Sequence, residues 1–208
     1  MSIYSASFVR ASRDPEASFA ETCRLLREHD TEWLAASPKH LAAPHTVRIH
    51  PGTPWISIEN AAADELLRQI SQAFAAEAST FYCSDEHALV FGYSHFEDGA
   101  LVRGLHYAGA SSARDDERWL RVIGQAEAWE SILFAPEMMS LYDRHRPQDA
   151  AELRKTMTIT EGSSIPWACD GTTIAAIAKT LGLPWDPWNG RFFPADRVEV
   201  IRGRSSSA

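Results

Sequence analysis

Cys83, Asp85 and His87 alternate along the chain, and their side chains are of the types that bind zinc. On one continuous strand the three would share a face and could act as ligands of a single metal ion. The run Ser84-Asp85-Glu86, however, has the composition of a turn, and a turn would end the alternation. We therefore expect a buried cysteine beside a solvated turn, and no metal site in this chain.

The run from Gly92 to His95 resembles part of a hydrolase nucleophile elbow, in which a serine is exposed on a sharp turn. That elbow requires a glycine two residues after the serine, and Phe96 occupies this position. It also requires a helix after the turn, whereas Ser94 falls within a predicted strand. We therefore interpret Ser94 as one half of a polar pair with Arg103 on the adjacent strand, and we expect no catalytic nucleophile.

His95 and His106 fall on one face of a predicted hairpin, where the strand rise separates them by about 13 Å. This separation prevents the two imidazoles from sharing a proton or a metal ion. The sequence also lacks a GxGxxG fingerprint, a Walker A loop, a CxxC pair, an HExxH helix and an EF-hand loop. We therefore expect no cofactor.

Arg103 lies in the middle of a predicted central strand, where a guanidinium needs an acidic partner. Glu127, Glu130, Asp85 and Glu97 are all candidates for that partner. Two interpretations stay open: a buried ion pair that stabilises the fold, or an anion clamp in a pocket. For the second case the candidate binding residues near the hairpin are Arg103, Trp129 and Glu130.

An aromatic segment rich in proline follows the last predicted helix, and it reads Trp-Asp-Pro-Trp-Asn-Gly-Arg-Phe-Phe from Trp185 to Phe193. Tryptophan together with arginine is typical of the residues that dominate binding interfaces. The alternative is that the rings fill the core from a loop. On the first interpretation the binding residues are Trp185, Trp188, Arg191 and Phe192.

The elements that must position these side chains are organised around a hairpin over residues 88–107. Asp98-Gly99 separates two strand-like runs, and this dipeptide favours a two-residue turn because both positions need positive φ. Large apolar groups lie on both faces of the hairpin, which predicts a central place in a sheet. We expect an α+β fold with an antiparallel sheet of five to seven strands, helices packed on it and a helical C-terminal part.

The remaining boundaries follow from local signals. Asp14-Pro15 predicts a helix start, Gly182 followed by Pro184 predicts a helix end, and residues 198–201 predict a last strand. We predict one domain over residues 1–204, with a possible boundary near Pro147, and a disordered tail over residues 205–208.

The composition excludes several classes of protein. A formal net charge of −8 argues against nucleic acid as the main partner, because such proteins usually carry a basic stripe. Three cysteines far apart in a chain without an apolar leader indicate reduced thiols and a cytoplasmic location. No apolar run approaches the length needed to span a bilayer, so we expect no membrane contact.

The hairpin from Asp98 to Tyr107 and the segment from Trp119 to Glu130 resemble a pattern in uncharacterised bacterial proteins. In that pattern DG-x-L-x-R-x-L-x-Y is followed by W-x-x-V-x-G-x-x-E-x-W-E, and it covers about a third of this chain. The resemblance implies a bacterial origin and a hairpin-centred α+β domain, and it implies no catalytic residue.

Two functions remain compatible with the sequence. The first is a non-enzymatic protein-binding module, for example an immunity or antitoxin-like protein that neutralises a basic toxin. The acidic balance, the lack of catalytic motifs and the aromatic segment favour it. The alternative is an enzyme or small-ligand-binding protein whose pocket near the hairpin uses scattered residues such as Arg103, His95, His106 and Glu130. The sequence does not determine the oligomeric state.

Overall fold

The structure is a computed structural model of the 208-residue chain. It describes residues 3–11, 13–36, 44–60, 64–84, 90–108, 121–145, 147–163, 171–187 and 191–201. The predicted tail over residues 205–208, the polar stretch after Ala108, Asp85, His87, Trp119 and Trp188 therefore lie outside the described residues.

Five α-helices and one 3-10 helix are present in the described residues. The helices are α1 (Pro15–Ala36), α2 (Asp64–Phe74), the 3-10 helix (Ala128–Phe134), α3 (Pro136–His145), α4 (Pro147–Thr156) and α5 (Gly171–Leu181).

Ten strands complete the described fold, and eight of them form one sheet in the order β10-β2-β3-β1-β4-β5-β6-β7. The α+β prediction is confirmed, but the predicted number of five to seven strands in the sheet is wrong. The strands are β1 (Ile3–Arg10), β2 (His45–Ile49), β3 (Trp55–Glu59), β4 (Glu77–Ser84), β5 (Val90–Glu97), β6 (Ala100–Ala108), β7 (Arg121–Gly124), β8 (Trp185–Asp186), β9 (Arg191–Phe192) and β10 (Arg197–Ile201).

The hairpin of β5 and β6 forms at the predicted turn. Asp98 has φ 48° and Gly99 has φ 76°, so both turn residues adopt the left-handed conformation that a two-residue hairpin turn requires. The N–H of Gly99 donates to Oγ of Ser71 at 3.1 Å, which ties the turn to the end of α2. Strands β4 to β7 are neighbours in the sheet in the order in which they occur along the chain.

The contacts divide the chain into two compact units. The first consists of Met1–Tyr4, Phe81–Ser94 and Leu101–Phe192, and the second consists of Ser5–Thr80, His95–Ala100 and Phe193–Ala208. In the second unit α1 packs on α2, β2 and β10. Its fully buried apolar side chains include Val9, Phe19, Leu26, Val47, Ile56, Ile58, Leu66, Leu67 and Ile70.

The first unit contains most of the residues of β4 to β6, all of β7, the 3-10 helix and α3 to α5. The 3-10 helix packs on α5 and α3, and α3 packs on α4. Buried apolar side chains of this unit include Phe81, Tyr93, Trp129, Leu133, Ile174, Ile177, Leu183 and Trp185.

Two helix ends form through the residues that predicted them. Oδ1 of Asp14 accepts the N–H of Ala17 at 3.0 Å and so caps the start of α1. At the end of α5 the N–H of Leu183 donates to the carbonyl of Ala178 at 2.8 Å, while Gly182 has φ 66°. A residue with positive φ at this place is the usual end of a helix.

Candidate functional site

Arg103 on β6 binds Glu130 of the 3-10 helix through two parallel hydrogen bonds. Nε of the guanidinium donates to Oε1 at 2.7 Å and Nη2 donates to Oε2 at 2.6 Å. Nη1 of Arg103 donates to the carbonyls of Ile123 and Gly124 at 3.1 and 2.8 Å. The side chains of Arg103 and Glu130 are 1% and 2% exposed, so this bidentate pair is desolvated.

Glu127 connects the ion pair to the aromatic side chains beside it. Its Oε2 accepts the hydroxyl of Tyr93 at 2.7 Å and the indole N–H of Trp129 at 2.6 Å. Its backbone N–H donates to Oε1 of Glu130 at 2.8 Å. The rings of Tyr93 and Trp129 meet edge to face, with centroids 5.0 Å apart. We call these five residues, Tyr93, Arg103, Glu127, Trp129 and Glu130, the Arg103 network.

Gly124 allows β7 to approach β6 closely enough for the Arg103 network to form. Its φ is +75°, and a Cβ at this position would lie 1.8 Å from the carbonyl oxygen of Val102. Only glycine fits such an approach without moving the backbone. The carbonyl of Gly124 then accepts from Arg103, so the close approach and the ion pair stabilise each other.

Three predicted binding residues, Arg103, Trp129 and Glu130, thus belong to one interior network. Each is at most 2% exposed, and their polar atoms already bind one another or the neighbouring backbone. In this arrangement the buried guanidinium of Arg103 and the buried carboxylate of Glu130 neutralise each other. Of the residues on which the resemblance was based, Arg103, Glu127, Trp129 and Glu130 belong to the Arg103 network, and Gly124 contributes a carbonyl acceptor to it.

The aromatic segment forms a small hairpin in place of the predicted loop. Trp185 pairs with Phe192, and Asp186 pairs with Arg191, in the antiparallel strands β8 and β9. The ring of Trp185 is 5% exposed and lies 6.3 Å from Phe81, and it stacks on Phe192 with centroids 6.2 Å apart. We call this element, Trp185–Asp186 with Arg191–Phe192, the aromatic hairpin.

The aromatic hairpin separates the predicted binding residues by exposure. Trp185 is buried, as the alternative interpretation of the segment had it, whereas Phe192 is half-buried and Arg191 is exposed. Trp188 lies outside the described residues. The arrangement is a buried aromatic anchor that carries a partly exposed ring and an exposed guanidinium.

The other candidate residues of the sequence are dispersed. Ser94 lies within strand β5, half-buried, and the turn at Asp98 leads to another strand, so the strand-turn-helix of a nucleophile elbow is not formed. Nε2 of His95 lies 4.0 Å from Oε1 of Glu97, and His106 is exposed on β6. Within the described residues no group of three or more His, Cys, Asp or Glu side chains is placed to hold a metal ion.

His50 and Ser57 form a polar pair that the sequence analysis missed. Nε2 of His50 lies 2.7 Å from Oγ of Ser57, and Nδ1 lies 3.2 Å from the carbonyl of Pro194. Because a carbonyl only accepts, Nδ1 carries the hydrogen and Nε2 accepts from the hydroxyl. Serine and histidine are thus arranged as a nucleophile and its base, but exposures of 0% and 2% close the pair to a substrate. The sequence signal that could have predicted this pair is Pro51-Gly52, a turn that joins β2 to β3.

Acidification is expected to destabilise the fold through His50. Burial lowers the pKa of His50 below its ordinary value, and the carbonyl of Pro194 offsets part of this effect. The unfolded chain takes up a proton below about pH 6.5, whereas the folded protein keeps the imidazole neutral to lower pH. The contribution of His50 is therefore complete above about pH 6.5 and is lost as the pH falls through the folded pKa, by at most about 1.4 kcal/mol per pH unit.

Urea unfolding of the wild type and of His50→Gln over the range from about pH 7.5 to pH 5 measures this effect. Glutamine can donate and accept in place of the imidazole but does not titrate. The loss of stability on acidification should be smaller in His50→Gln. Equal losses in both proteins would contradict the assignment.

A groove of about 310 Å³ lies along α4 and the turn that follows it. Its carboxylates are those of Asp149, Glu152 and Glu161, and Glu152 is paired with Lys155 at 3.2 Å. Of the predicted binding residues, the six that the structure describes do not line this groove.

No known protein family, curated protein or solved structure matches this chain. None of the helices in the described residues combines the length and the apolar character that crossing a membrane requires.

Proposed function

We propose that this chain is a non-enzymatic protein-binding module that contacts its partner through the aromatic hairpin. The observation that carries the proposal is the pairing of a buried anchor with exposed contact groups. Trp185 holds Phe192 by stacking, and Arg191 is exposed next to it. Arginine and aromatic residues held rigidly lose little conformational entropy on binding, which is why they dominate interface energies.

Charge supports a basic partner for this module. The chain carries a formal charge of −8, and electrostatic attraction between proteins of opposite charge raises association rates and selects partners. An immunity or antitoxin-like protein that neutralises a basic toxin in a bacterial cytoplasm fits this charge balance. Arg191 would then pair with an acidic group of the toxin, while the other charged contacts would join basic groups of the toxin to acidic groups of this chain.

The alternative is an enzyme or a small-ligand-binding protein with a pocket near the central hairpin. Four side chains were predicted to build such a pocket. Two of them, Arg103 and Glu130, bind each other in the interior, which leaves fewer groups free to meet a ligand. This placement favours the binding module over the alternative.

The test is capture of partners by the tagged chain from lysate of the organism that encodes it, followed by mass spectrometry. A stoichiometric partner should be retained at low salt and released as the salt concentration rises. Arg191→Ala and Phe192→Ala should each weaken its binding by at least about 30-fold, which corresponds to a hot-spot loss of about 2 kcal/mol.

Arg121→Ala is the matched control, because Arg121 is another exposed strand arginine of the same unit. It should retain the partner with unchanged affinity. Retention that is equal in Arg191→Ala, Phe192→Ala and the wild type would refute the aromatic hairpin as the contact surface. Turnover of a small molecule by the purified chain would instead favour the enzyme.

A further inference from the structure

Strand β10 is the last strand of the sheet at one edge among the described residues, and one of its faces carries exposed apolar side chains. It pairs with β2 on one side, from Arg197 opposite Ile49 to Ile201 opposite His45. Val198 and Val200 are 53% and 49% exposed. Among the described residues no further strand pairs with the other side of β10, so this edge can pair with a strand of another chain.

The two faces of β10 differ in chemistry. Arg197 and Glu199 lie on the face that α1 covers, since Arg197 is paired with Glu16 and lies 4.6 Å from the ring of Phe19. Glu199 is paired with Arg27 on the same helix. Because side chains alternate along a strand, Val198 and Val200 lie on the opposite face.

We propose that β10 pairs antiparallel with β10 of a second copy of this chain, about a two-fold axis at Val198. In this register Arg197 lies opposite Glu199 of the second copy, and the reciprocal pair forms on the other side of the axis. Val198 lies opposite its own copy and diagonal to Val200 of the other chain. Opposite charges and apolar groups are the cross-strand pairs that stabilise a sheet.

Charge complementarity favours a second copy as the occupant and rules out two of the possible registers. An axis at Arg197 would place two guanidinium groups opposite each other, and an axis at Glu199 would place two carboxylates opposite each other. Directly opposed like charges destabilise a strand pair. With the axis at Val198, charges alternate across the interface from Glu16 to Arg197, then to Glu199 and Arg27 of the second copy. The edge is therefore complementary to itself.

This interface is independent of the aromatic hairpin, so the proposed function and this inference can fail separately. In this register only the three residues from Arg197 to Glu199 of each β10 pair with the other copy, so the interface buries little surface, and interfaces below about 1,200 Å² are weak or transient. The two-fold arrangement is isologous, so the pairing closes on a dimer and does not propagate.

Sedimentation of the full-length chain over a concentration range from about 1 µM to about 1 mM measures the dimer. Val198→Lys places two ammonium groups at the axis and should raise the dissociation constant at least about tenfold. Met157→Lys is the matched control, because Met157 is an equally exposed apolar residue elsewhere, and it should leave the dimer unchanged. Glu199→Arg should also weaken the dimer, because it places two guanidinium groups opposite each other across the interface.

A cysteine at the axis tests the register directly. Residues directly opposite in an antiparallel pair have Cβ atoms about 4.5–5.5 Å apart, close enough for a disulfide after a small adjustment. Under mild oxidation Val198→Cys should form a covalent dimer more readily than Val200→Cys or the wild type, which retains its three native cysteines. Covalent dimers that form more readily with Val200→Cys would overturn the register. A wild type that remains a monomer at about 1 mM, or a strand of another protein found on β10 in its place, would overturn the proposal.

Discussion

Replacing Arg103 with alanine is expected to lower the free energy of unfolding by about 3–5 kcal/mol. The change leaves the Glu130 carboxylate, which is 2% exposed, in the interior without its cation. The carbonyls of Ile123 and Gly124 lose their donor as well. Urea unfolding followed by tryptophan fluorescence measures the effect.

The double variant Arg103→Met/Glu130→Leu is the control for this prediction. Replacing both charges with apolar groups of similar size removes the isolated buried carboxylate, and such replacements are often close to neutral. It should therefore be more stable than Arg103→Ala, although the freed carbonyls still have a cost. If Arg103→Ala unfolds at the same urea concentration as the wild type, the guanidinium does not stabilise the fold as a buried pair.

Gly124→Ala is the second change with a large expected effect, a loss of more than about 3 kcal/mol. Its Cβ would lie 1.8 Å from the carbonyl oxygen of Val102, so β7 would have to move away from β6. That movement would also displace the two carbonyls that accept from Arg103. Thermal and urea unfolding of the purified variant measure the loss.

Gly162→Ala separates the two parts of this effect. Gly162 has nearly the same φ, +77°, but a Cβ there meets nothing within 4 Å. Its substitution should therefore cost only the left-handed backbone term of about 1–2 kcal/mol. Equal losses in Gly124→Ala and Gly162→Ala would show that the close approach to Val102 contributes nothing.

The contacts of the Arg103 network indicate that its residues stabilise the fold. A buried, bidentate pair with a second carboxylate bound to Tyr93 and Trp129 holds β6, β7 and the 3-10 helix together. Substituting residues of this kind is expected to lower the stability of the fold. Loss of function in variants of the network would accordingly need to be separated from loss of stability before any role in binding is inferred.

The local signals of the sequence were sufficient for the elements themselves. A two-residue hairpin turn requires positive φ at both of its positions, and only a few residue types adopt positive φ. The dipeptide Asp98-Gly99 was therefore sufficient to predict the turn. The start of α1 at Asp14 and the end of α5 at Gly182 are encoded in the same way. The sequence also indicated that Arg103 needs an acid, because burying an unpaired guanidinium is too costly.

Only the tertiary structure determined which side chains contact each other and which are buried. Four acids could have paired with Arg103, and the 3-10 helix places Glu130 beside it. The pairing of β10 with β2 joins residues about 150 positions apart, so the local pattern that predicted a last strand over residues 198–201 did not place it in the sheet beside β2 or show that two of its valines are exposed. The sequence also left open whether Trp185 is buried, because the same aromatic residue types occur in cores and on binding surfaces. In the structure Trp185 is buried and stacks on Phe192. Backbone conformation is set by neighbours in the chain, whereas burial is set by neighbours in space.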